Sequence, residues 1–188
     1  MSATNRGATR KDSDFYATPL NSIYAFLDVY NGIKSTDLIL EPSAGNGNII
    51  TALRNKGYTN PIHVIELREE ERSNLVGKAD KVGIFNYLTE DIPYKYDVII
   101  GNPPYSLARE FIDKSLTLLN PGGRLIFLLR TAFLESKKRF QWWQKHPLCG
   151  LYTLHNRPSF TGKGTDATAY SWFVWERSDN VSQVIKVI

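Results

Sequence analysis

Short apolar runs alternate along this chain with segments whose apolar residues recur at helical spacing. The runs predict seven strands, at residues 37–41, 61–66, 81–85, 96–101, 124–129, 151–155 and 170–176. The helical spacing predicts helices at 20–30, 49–57, from about 69, 106–119 and 135–145. Because strands alternate with helices, we expect parallel pairing with right-handed crossovers. No clear helical pattern separates the last two runs, so the final strand is expected to be antiparallel.

The order of these elements predicts a single α/β domain of the Rossmann-like kind. Its sheet has seven mostly parallel strands with an antiparallel last strand, and helices cover both faces. The domain is expected to span residues 15–177. Residues 1–14 are polar and predict a disordered arm, and residues 178–188 are assigned to a C-terminal tail.

Composition changes this picture only by exclusion. A chain of 188 residues that is 42% hydrophobic suits one soluble domain with a substantial core. No apolar run approaches the roughly 18 residues that span a bilayer, and the polar N-terminus is unlike a secretory signal. Cys149 is the only cysteine, which excludes an internal disulfide and a thiolate zinc site. We therefore expect a cytoplasmic protein that binds no metal and no membrane.

Positive charge is concentrated in residues 124–166. This segment holds eight Lys or Arg and two Asp or Glu, a net charge of +6, whereas the whole chain carries +4. Trp142, Trp143 and Phe160 fall in the same segment. Basic residues interleaved with aromatic ones suit a phosphate backbone and stacked bases. The alternative is a solvated helix face above buried tryptophans.

Four successive strands end in residues that suit a ligand. Gly45 and Gly47 let the backbone approach a ligand closely, at the start of a helix whose N-terminus favours an electronegative group. Glu66 ends the second strand, 19 residues after Gly47, where dinucleotide-type folds place an acid that binds ribose hydroxyls. The turn at Asn86 and the loop at Asn102 follow the third and fourth strands. Since carboxyl ends of parallel strands share one edge, these residues are expected to converge on one crevice.

The fourth strand runs into Asn102-Pro103-Pro104-Tyr105. A conjugated amino group is a poor nucleophile until acceptors hold its hydrogens, and the Asn102 side-chain oxygen and the Pro103 carbonyl are such acceptors. Tyr105 is placed to stack on the flat group that carries the nitrogen. The two prolines stiffen the loop and remove two N–H donors. Taken alone, Asn-Pro-Pro is also an ordinary turn signal after a strand.

Together these residues resemble the class I S-adenosylmethionine-dependent methyltransferases, in particular the DNA adenine N6 methyltransferases. The resemblance covers the chain from Phe15 to Glu176. It implies that Asn102, Pro103, Pro104 and Tyr105 are catalytic. Asn86-Tyr87 falls where the family has an Asp, so its amide would accept from the cofactor's adenine without charge. The cofactor residues that the resemblance implies are Tyr16, Thr18, Pro19, Glu41, Pro42, Ser43, Ala44, Gly45, Gly47, Glu66, Asn86, Tyr87 and Asn102.

Two further motifs extend the resemblance. Tyr16-Ala17-Thr18-Pro19 resembles the motif that helps to bind the methionine end of the cofactor, and Thr18-Pro19 also fits a helix start. Arg157–Gly162 resembles the late motif, whose aromatic ring packs on the target base, although Phe160 also fits an ordinary core. The expected contacts with the base or the nucleic acid are Tyr105, Arg130, Lys137, Lys138, Arg139, Arg157, Phe160 and Lys163.

The motif order is that of the gamma arrangement, which normally adds a target-recognition domain after the late motif. Only 12 residues follow Glu176 here, so we expect relaxed sequence specificity and a phage or prophage setting, in a bacterial cytoplasm or an infected host cell. The expected activity is methyl transfer from S-adenosylmethionine to adenine N6, in DNA more than in RNA. Adenine in ribosomal or transfer RNA and glutamine of a release factor remain alternatives, as does an inactive nucleic-acid-binding or inhibitory partner. The oligomeric state is left open.

Overall fold

An eight-stranded sheet forms the centre of the computed structural model, which describes residues 17–160, 164–178 and 184–187. The strand order is β3-β2-β1-β4-β5-β7-β6-β8. The strands are β1 (Ile39–Glu41), β2 (Ile62–Glu66), β3 (Lys81–Ile84), β4 (Tyr96–Gly101), β5 (Leu119–Arg130), β6 (Gly150–Thr153), β7 (Tyr170–Glu176) and β8 (Val184–Val187). Strands β1 to β5 pair in parallel, and β7 runs antiparallel between β5 and β6.

Helices pack on both faces of the sheet, as the sequence predicts. They are α1 (Leu20–Leu27), α2 (Asn48–Asn55), α3 (Arg72–Leu75), α4 (Ala108–Leu118) and α5 (Phe140–Lys145). Apolar residues of α1, α2 and α3 belong to one buried cluster, and those of α4 and α5 belong to the other. The predicted Rossmann-like domain with an antiparallel seventh strand is therefore confirmed.

The two buried clusters follow from the alternation of side chains along the strands. On β5, Ile126 and Leu128 belong to the first cluster, whereas Leu125, Phe127 and Leu129 belong to the second. All five are at most 1% exposed. A continuous apolar run is what a strand covered on both faces requires.

Helix α1 is joined to the last long strand. It begins after Pro19, whose carbonyl accepts the Ser22 backbone N–H at 3.0 Å. The Phe26 ring stacks on Trp172 of β7 with centroids 4.9 Å apart. The Trp172 indole N–H donates to the Ser22 carbonyl at 3.1 Å, across 150 positions of sequence. The first helix of the domain therefore packs on the sheet through β7.

Several boundaries differ from the prediction; α1, for example, ends at Leu27 rather than at residue 30. An eighth strand lies in the segment assigned to a tail, where β8 pairs in parallel with β6. The helix predicted over 135–145 is α-helical only in α5, and 3-10 turns precede it at 131–134 and 137–139. The Ser136 side chain accepts from the Lys138 N–H, which favours the tighter turn over a helix entry. The helix predicted over 106–119 ends one residue early, because Leu119 pairs with Tyr96 at the start of β5.

Candidate active site

The carboxyl ends of β1, β2 and β4, with the loop after β3, surround one cleft of about 200 Å³. The convergence expected from the four strand ends is therefore seen in the structure. Sequence-predicted residues that line the cleft are Thr18, Glu41, Pro42, Ser43, Ala44, Gly45, Glu66, Asn86, Tyr87, Asn102 and Pro104.

The loop after β1 is tied to the end of β2. The Gly45 N–H donates to the Glu66 carboxylate at 2.7 Å, and the Ala44 N–H donates to the Ile65 carbonyl at 3.0 Å. Gly47 lies outside the cleft and precedes α2 with a φ of 79°, a left-handed conformation that glycine adopts without strain. A Cβ atom on Gly47 would also lie 3.1 Å from Leu75. Gly47 thus fixes the start of the helix, and Gly45 gives the cleft a bare backbone.

Glu66 is buried at the base of the cleft, only 4% exposed. Its two carboxylate oxygens accept from the Gly45 N–H and from the Arg68 N–H, the latter at 3.0 Å. The Arg68 guanidinium lies 3.5 Å from the same carboxylate. Each oxygen has lone pairs left for a further donor, so Glu66 is fixed in position and remains able to bind the hydroxyls of a ligand.

Glu41 is the second buried carboxyl group of the cleft and is 2% exposed. Among the described residues, neither its Oε2 atom nor the Ser43 hydroxyl has a hydrogen-bonding partner. Burial, together with the nearby Glu66 charge, raises the pKa of Glu41 well above its usual range. Orphaned buried acceptors are costly unless a ligand supplies their partners, so this end of the cleft fits a ligand that carries hydrogen-bond donors.

The pKa of Glu41 predicts a stability that depends on pH. A carboxyl whose pKa is raised by folding binds more protons in the folded state, so its burial lowers stability as pH rises above about 4.3, the usual pKa of Glu. Without ligand, Glu41→Gln should therefore melt above wild type at pH 8, by roughly 2–4 °C for each kcal/mol. The gain should shrink near pH 4.

Differential scanning fluorimetry across this pH range measures the effect. The exposed Glu70→Gln change serves as the control and should show no gain at either pH. Equal melting temperatures for wild type and Glu41→Gln at both pH values would contradict the assignment of Glu41 as a buried carboxyl whose pKa is raised by folding.

Asn86 and Tyr87 line the cleft with fewer free groups than expected. The Asn86 side-chain oxygen accepts the Leu88 N–H at 2.9 Å, a local turn that uses one of its two lone pairs. The Tyr87 hydroxyl is 2.8 Å from Ser115 and, at 2% exposure, contributes only its ring to the cleft. Phe85, which the sequence analysis did not select, lies beside them in the lining.

The predicted catalytic tetrapeptide follows β4 directly. Asn102 and Pro104 line the cleft, whereas Pro103 is buried behind them. Tyr105 begins a 3-10 turn before α4. Burial raises the pKa of Tyr105 well above its usual range, so its hydroxyl keeps its proton.

Tyr105 belongs to a small aromatic cluster beside the cleft. Its ring centroid lies 5.5 Å from that of Tyr170 and 6.5 Å from that of Phe160. The Arg130 guanidinium carbon lies 5.3 Å from the Tyr105 ring centroid. The structure thus brings together three residues predicted from separate segments, and it adds Tyr170, which the sequence did not single out for this role.

The basic segment divides into exposed and structural residues. Lys137, Lys138 and Arg157 are exposed. Arg139 donates to the backbone carbonyls of Phe133 and Glu135 at 3.0 and 2.9 Å, so it holds its own turn together.

The tryptophans of the segment are not exposed for stacking on bases. Trp142 is 6% exposed and donates to Asp113 at 2.7 Å. Trp143 packs against the second buried cluster. The alternative of a buried tryptophan is therefore observed for Trp142, whereas Trp143 is half-buried, and Phe160 remains beside Tyr105.

Some predicted residues fall elsewhere. Tyr16 and Lys163 lie outside the described residues. Thr18 lines the cleft, and its carbonyl accepts from the Asn48 side chain at 2.9 Å. Pro19, rather than Thr18, occupies the N-cap position of α1. Lining residues that the sequence analysis missed are Ala17, Asn46, Asn48, Ile49, Leu67, Arg68, Phe85, Leu88, Ser106, Leu107 and Phe111.

Known proteins share both the fold and part of the sequence. A class I S-adenosylmethionine-dependent methyltransferase from Listeria monocytogenes, itself assigned provisionally, superposes with a TM-score of 0.68 at 18% identity, over 90% of this chain and 64% of that one. The chain has the class I methyltransferase fold. An RNA methyltransferase from Salinibacter ruber, solved with S-adenosylhomocysteine, gives a TM-score of 0.56 at 16% identity over 89% of this chain and 97% of that one.

Sequence similarity relates this chain to type II methyltransferases. M.CvrRI from Paramecium bursaria Chlorella virus XZ-6E is 31% identical over an alignment of 150 residues, which covers 68% of this chain. The match covers 39% of M.CvrRI, so the chain spans about two fifths of that relative. No family model matches the chain. The resemblance inferred from the motifs is confirmed for the class I methyltransferase fold, and the sequence matches are to type II methyltransferases.

Within the described ranges, no helix is long and apolar enough to cross a membrane. The His, Cys, Asp and Glu side chains in these ranges form no group arranged to hold a metal ion.

Proposed function

We propose that this methyltransferase domain transfers a methyl group from S-adenosylmethionine to the N6 amino group of adenine in DNA, with relaxed sequence specificity. The observation that carries the proposal is a single cleft lined both by Glu41 and Glu66 and by Asn102, with Tyr105 beside it. Cofactor residues and acceptor residues must meet at one place if a methyl group is to pass between their ligands.

The acceptor groups at the cofactor end of the cleft match the hydrogen-bond donors of S-adenosylmethionine. Glu66, fixed between two backbone N–H groups, binds the ribose hydroxyls. Glu41 and Ser43, whose buried oxygens are unpartnered among the described residues, accept from the ammonium group at the methionine end. Asn86 accepts from the adenine amino group. When bound, the cofactor supplies an electrophilic methyl group on a sulfonium sulfur.

At the acceptor end, the tetrapeptide prepares the target nitrogen. Tyr105 stacks on the target adenine, at about 1–3 kcal/mol for a stacked base. The Asn102 side-chain oxygen and the Pro103 carbonyl accept the two N6 hydrogens, so that the nitrogen lone pair leaves conjugation with the ring. With the cofactor's methyl group as the electrophile, N6 would take the methyl group as the sulfonium sulfur gives it up, and one N6 proton would pass to solvent. Positive charge that develops on N6 faces fixed acceptors, the electrostatic principle of an oxyanion hole with its sign reversed.

Sequence similarity favours DNA as the polymer, because the relatives M.CvrRI and M.HincII are type II methyltransferases, a class that acts on DNA. The Salinibacter ruber neighbour is an RNA methyltransferase, so adenine N6 in RNA is the second candidate function. Glutamine methylation of a release factor is a weaker candidate, because Phe160 adds an aromatic ring beside Tyr105 that a flat base uses and a glutamine side chain does not. An inactive nucleic-acid-binding or inhibitory partner is the candidate of another class.

The proposal is tested by following the methyl group. The protein is incubated with S-adenosylmethionine labelled in its methyl group and with DNA, RNA or a release factor, and polymers are digested to nucleosides. We expect label in N6-methyldeoxyadenosine. Label in N6-methyladenosine or in glutamine would move the assignment to RNA or to the release factor, and cofactor binding with no transfer to any substrate would support the inactive partner.

The exposed lysines before α5 predict a dependence on salt. Each phosphate contact contributes a slope of about −0.7 to −0.9 to the plot of log affinity against log salt. Lys137→Ala should weaken binding to a DNA oligonucleotide and flatten this slope by about one contact. The exposed Lys34→Ala change is the matched control. Fluorescence anisotropy measures both, and an unchanged slope in Lys137→Ala would remove that residue from the binding surface.

A further inference from the structure

Beside the cleft, four side chains from three separate segments are linked in a row. Asp166 lies in the loop between β6 and β7, Tyr170 begins β7, Arg130 ends β5, and Tyr105 follows β4. Arg130 and Tyr170 are direct cross-strand partners at the carboxyl end of β5. The antiparallel pairing of β7 with β5 therefore places this row next to the acceptor end of the cleft.

The Tyr170 hydroxyl is the centre of the row. It donates to the Asp166 carboxylate at 3.0 Å and accepts from the Arg130 Nε–H at 3.4 Å. Burial raises the pKa of Tyr170 to about 12, so the hydroxyl keeps the proton that it donates. Arg130 in turn lies over the Tyr105 ring, within the range of a cation–π contact.

Asp166 also holds the loop that carries Phe160. Its N–H donates to the Pro158 carbonyl at 2.9 Å, and the Ser159 hydroxyl donates to the Gly164 carbonyl at 2.6 Å. Phe160 packs against Tyr170 with centroids 5.2 Å apart. The row thus connects the loop of Phe160 to the turn of Tyr105.

Tyr105 and Phe160 form an aromatic surface on which a flat base could stack. Because both residues lie on loops, this aromatic surface needs such connections. Tyr105 lies in a 3-10 turn and Phe160 in an irregular loop, whereas Arg130 and Tyr170 lie in paired strands. Binding sites built on loops are less precise than sites built on strands, and a productive site requires positions accurate to about 0.5 Å. Contacts with residues of the paired strands β5 and β7 therefore fix the positions of both rings of the aromatic surface.

From this geometry we propose that Asp166, Tyr170 and Arg130 are positioning residues. They hold Tyr105 and Phe160 in place as the aromatic surface on which a flat base stacks. The proposal rests on the proposed function, since it names the residues that prepare the same site for its base. It assigns these three residues no contact with the reacting atoms.

Tyr170→Phe is the decisive variant, because it removes the hydroxyl and keeps the buried ring. The loss of one hydrogen-bonded hydroxyl with charged partners should lower kcat/KM for DNA by about tenfold, with cofactor affinity unchanged. Asp166→Asn should have a similar effect, and the double variant should lose less than the product of the two single losses, because both interrupt one row. Tyr30→Phe is the control. Tyr30 is a buried tyrosine in the same hydrophobic core cluster as Tyr170, and its hydroxyl has no partner among the described residues. This variant should retain wild-type activity.

Arg130 also has a simple alternative role as a phosphate contact. Arg130→Lys separates the two roles, since it keeps the charge but loses the planar group over Tyr105. We expect Arg130→Lys to keep the salt dependence of DNA binding and to lose kcat/KM as Tyr170→Phe does. Wild-type kcat/KM in Arg130→Lys and Tyr170→Phe would overturn the proposal.

A binding measurement separates this proposal from the proposed function. A single-stranded oligonucleotide that contains 2-aminopurine, a fluorescent adenine analogue quenched by stacking, is titrated with each protein. Wild type should quench the emission, and Tyr170→Phe should quench it less at saturation. If wild type quenches more than Tyr170→Phe but transfers no methyl group, the proposed reaction fails and the positioning role stands. If wild type transfers methyl groups and Tyr170→Phe matches it in both quenching and methyl transfer, only the positioning role fails. If wild type neither quenches the emission nor transfers methyl groups, both the proposed reaction and the positioning role are overturned.

Discussion

Asn102→Ala should lower kcat for methyl transfer by at least 100- to 1,000-fold, on the order of what is lost when one preorganised hydrogen-bonding group is removed from a transition state. Asn102 lies at the end of β4 in the lining of the cleft, and its side-chain oxygen is the acceptor proposed for an N6 hydrogen. Truncation leaves one hydrogen unheld and the lone pair conjugated with the ring. Affinity for S-adenosylmethionine should be largely retained, because Glu41 and Glu66 are untouched.

Two measurements separate these effects. Label transfer to DNA under single-turnover conditions gives the rate of the chemical step, and calorimetric titration gives the cofactor affinity. Asn31→Ala, an exposed asparagine after α1, is the control and should keep the wild-type rate. A wild-type rate in Asn102→Ala would remove the tetrapeptide from the reaction, and an equal loss of cofactor affinity would make Asn102 a cofactor residue instead.

Glu66→Ala should weaken S-adenosylmethionine binding by about 100-fold, the effect expected from two hydrogen bonds to a charged group at 1.5 kcal/mol each or slightly less. The loss has two physical sources. The carboxylate would no longer accept the ribose hydroxyls, and the Gly45 N–H would lose the acceptor that lies 2.7 Å away. The cofactor would therefore meet a loop that is less well fixed as well as a missing partner.

Calorimetry with S-adenosylmethionine measures this loss directly. Glu69→Ala is a suitable control, because Glu69 follows in the same connection, is exposed and pairs only with Arg72 among the interactions described. It should leave the dissociation constant unchanged. If Glu66→Ala binds the cofactor as wild type does, the ribose would have to be bound by another group of the cleft.

The parts of the fold that depend on local pattern and short spacing could be predicted from the sequence. Glu66 could be predicted as the acid that binds ribose hydroxyls, because the helix, turn and strand between Gly47 and Glu66 have nearly fixed lengths. The tetrapeptide at Asn102 could be placed at the cleft because parallel strands end at one edge of a sheet. Both inferences use only the order of elements, which periodicity reveals.

Contacts that form only in the folded chain could not be predicted. Tyr170 meets Arg130 only through the antiparallel register of β5 with β7, which no local pattern specifies. Arg139 looked like part of a phosphate-binding run, but two backbone carbonyls nearby bind its guanidinium. The strand β8 is four residues long, too short for its alternation to distinguish it from a tail.

The contact between α1 and β7 has a consequence for the synthesis of the chain. Ser22 and Trp172 lie 150 positions apart, and at 5–20 residues per second a ribosome needs roughly 8–30 s to make that interval. During this time Phe26 of α1 lacks the Trp172 ring on which it stacks in the finished domain. The domain should therefore complete its fold only near the end of translation, and chains that stop before Trp172 should be prone to aggregate.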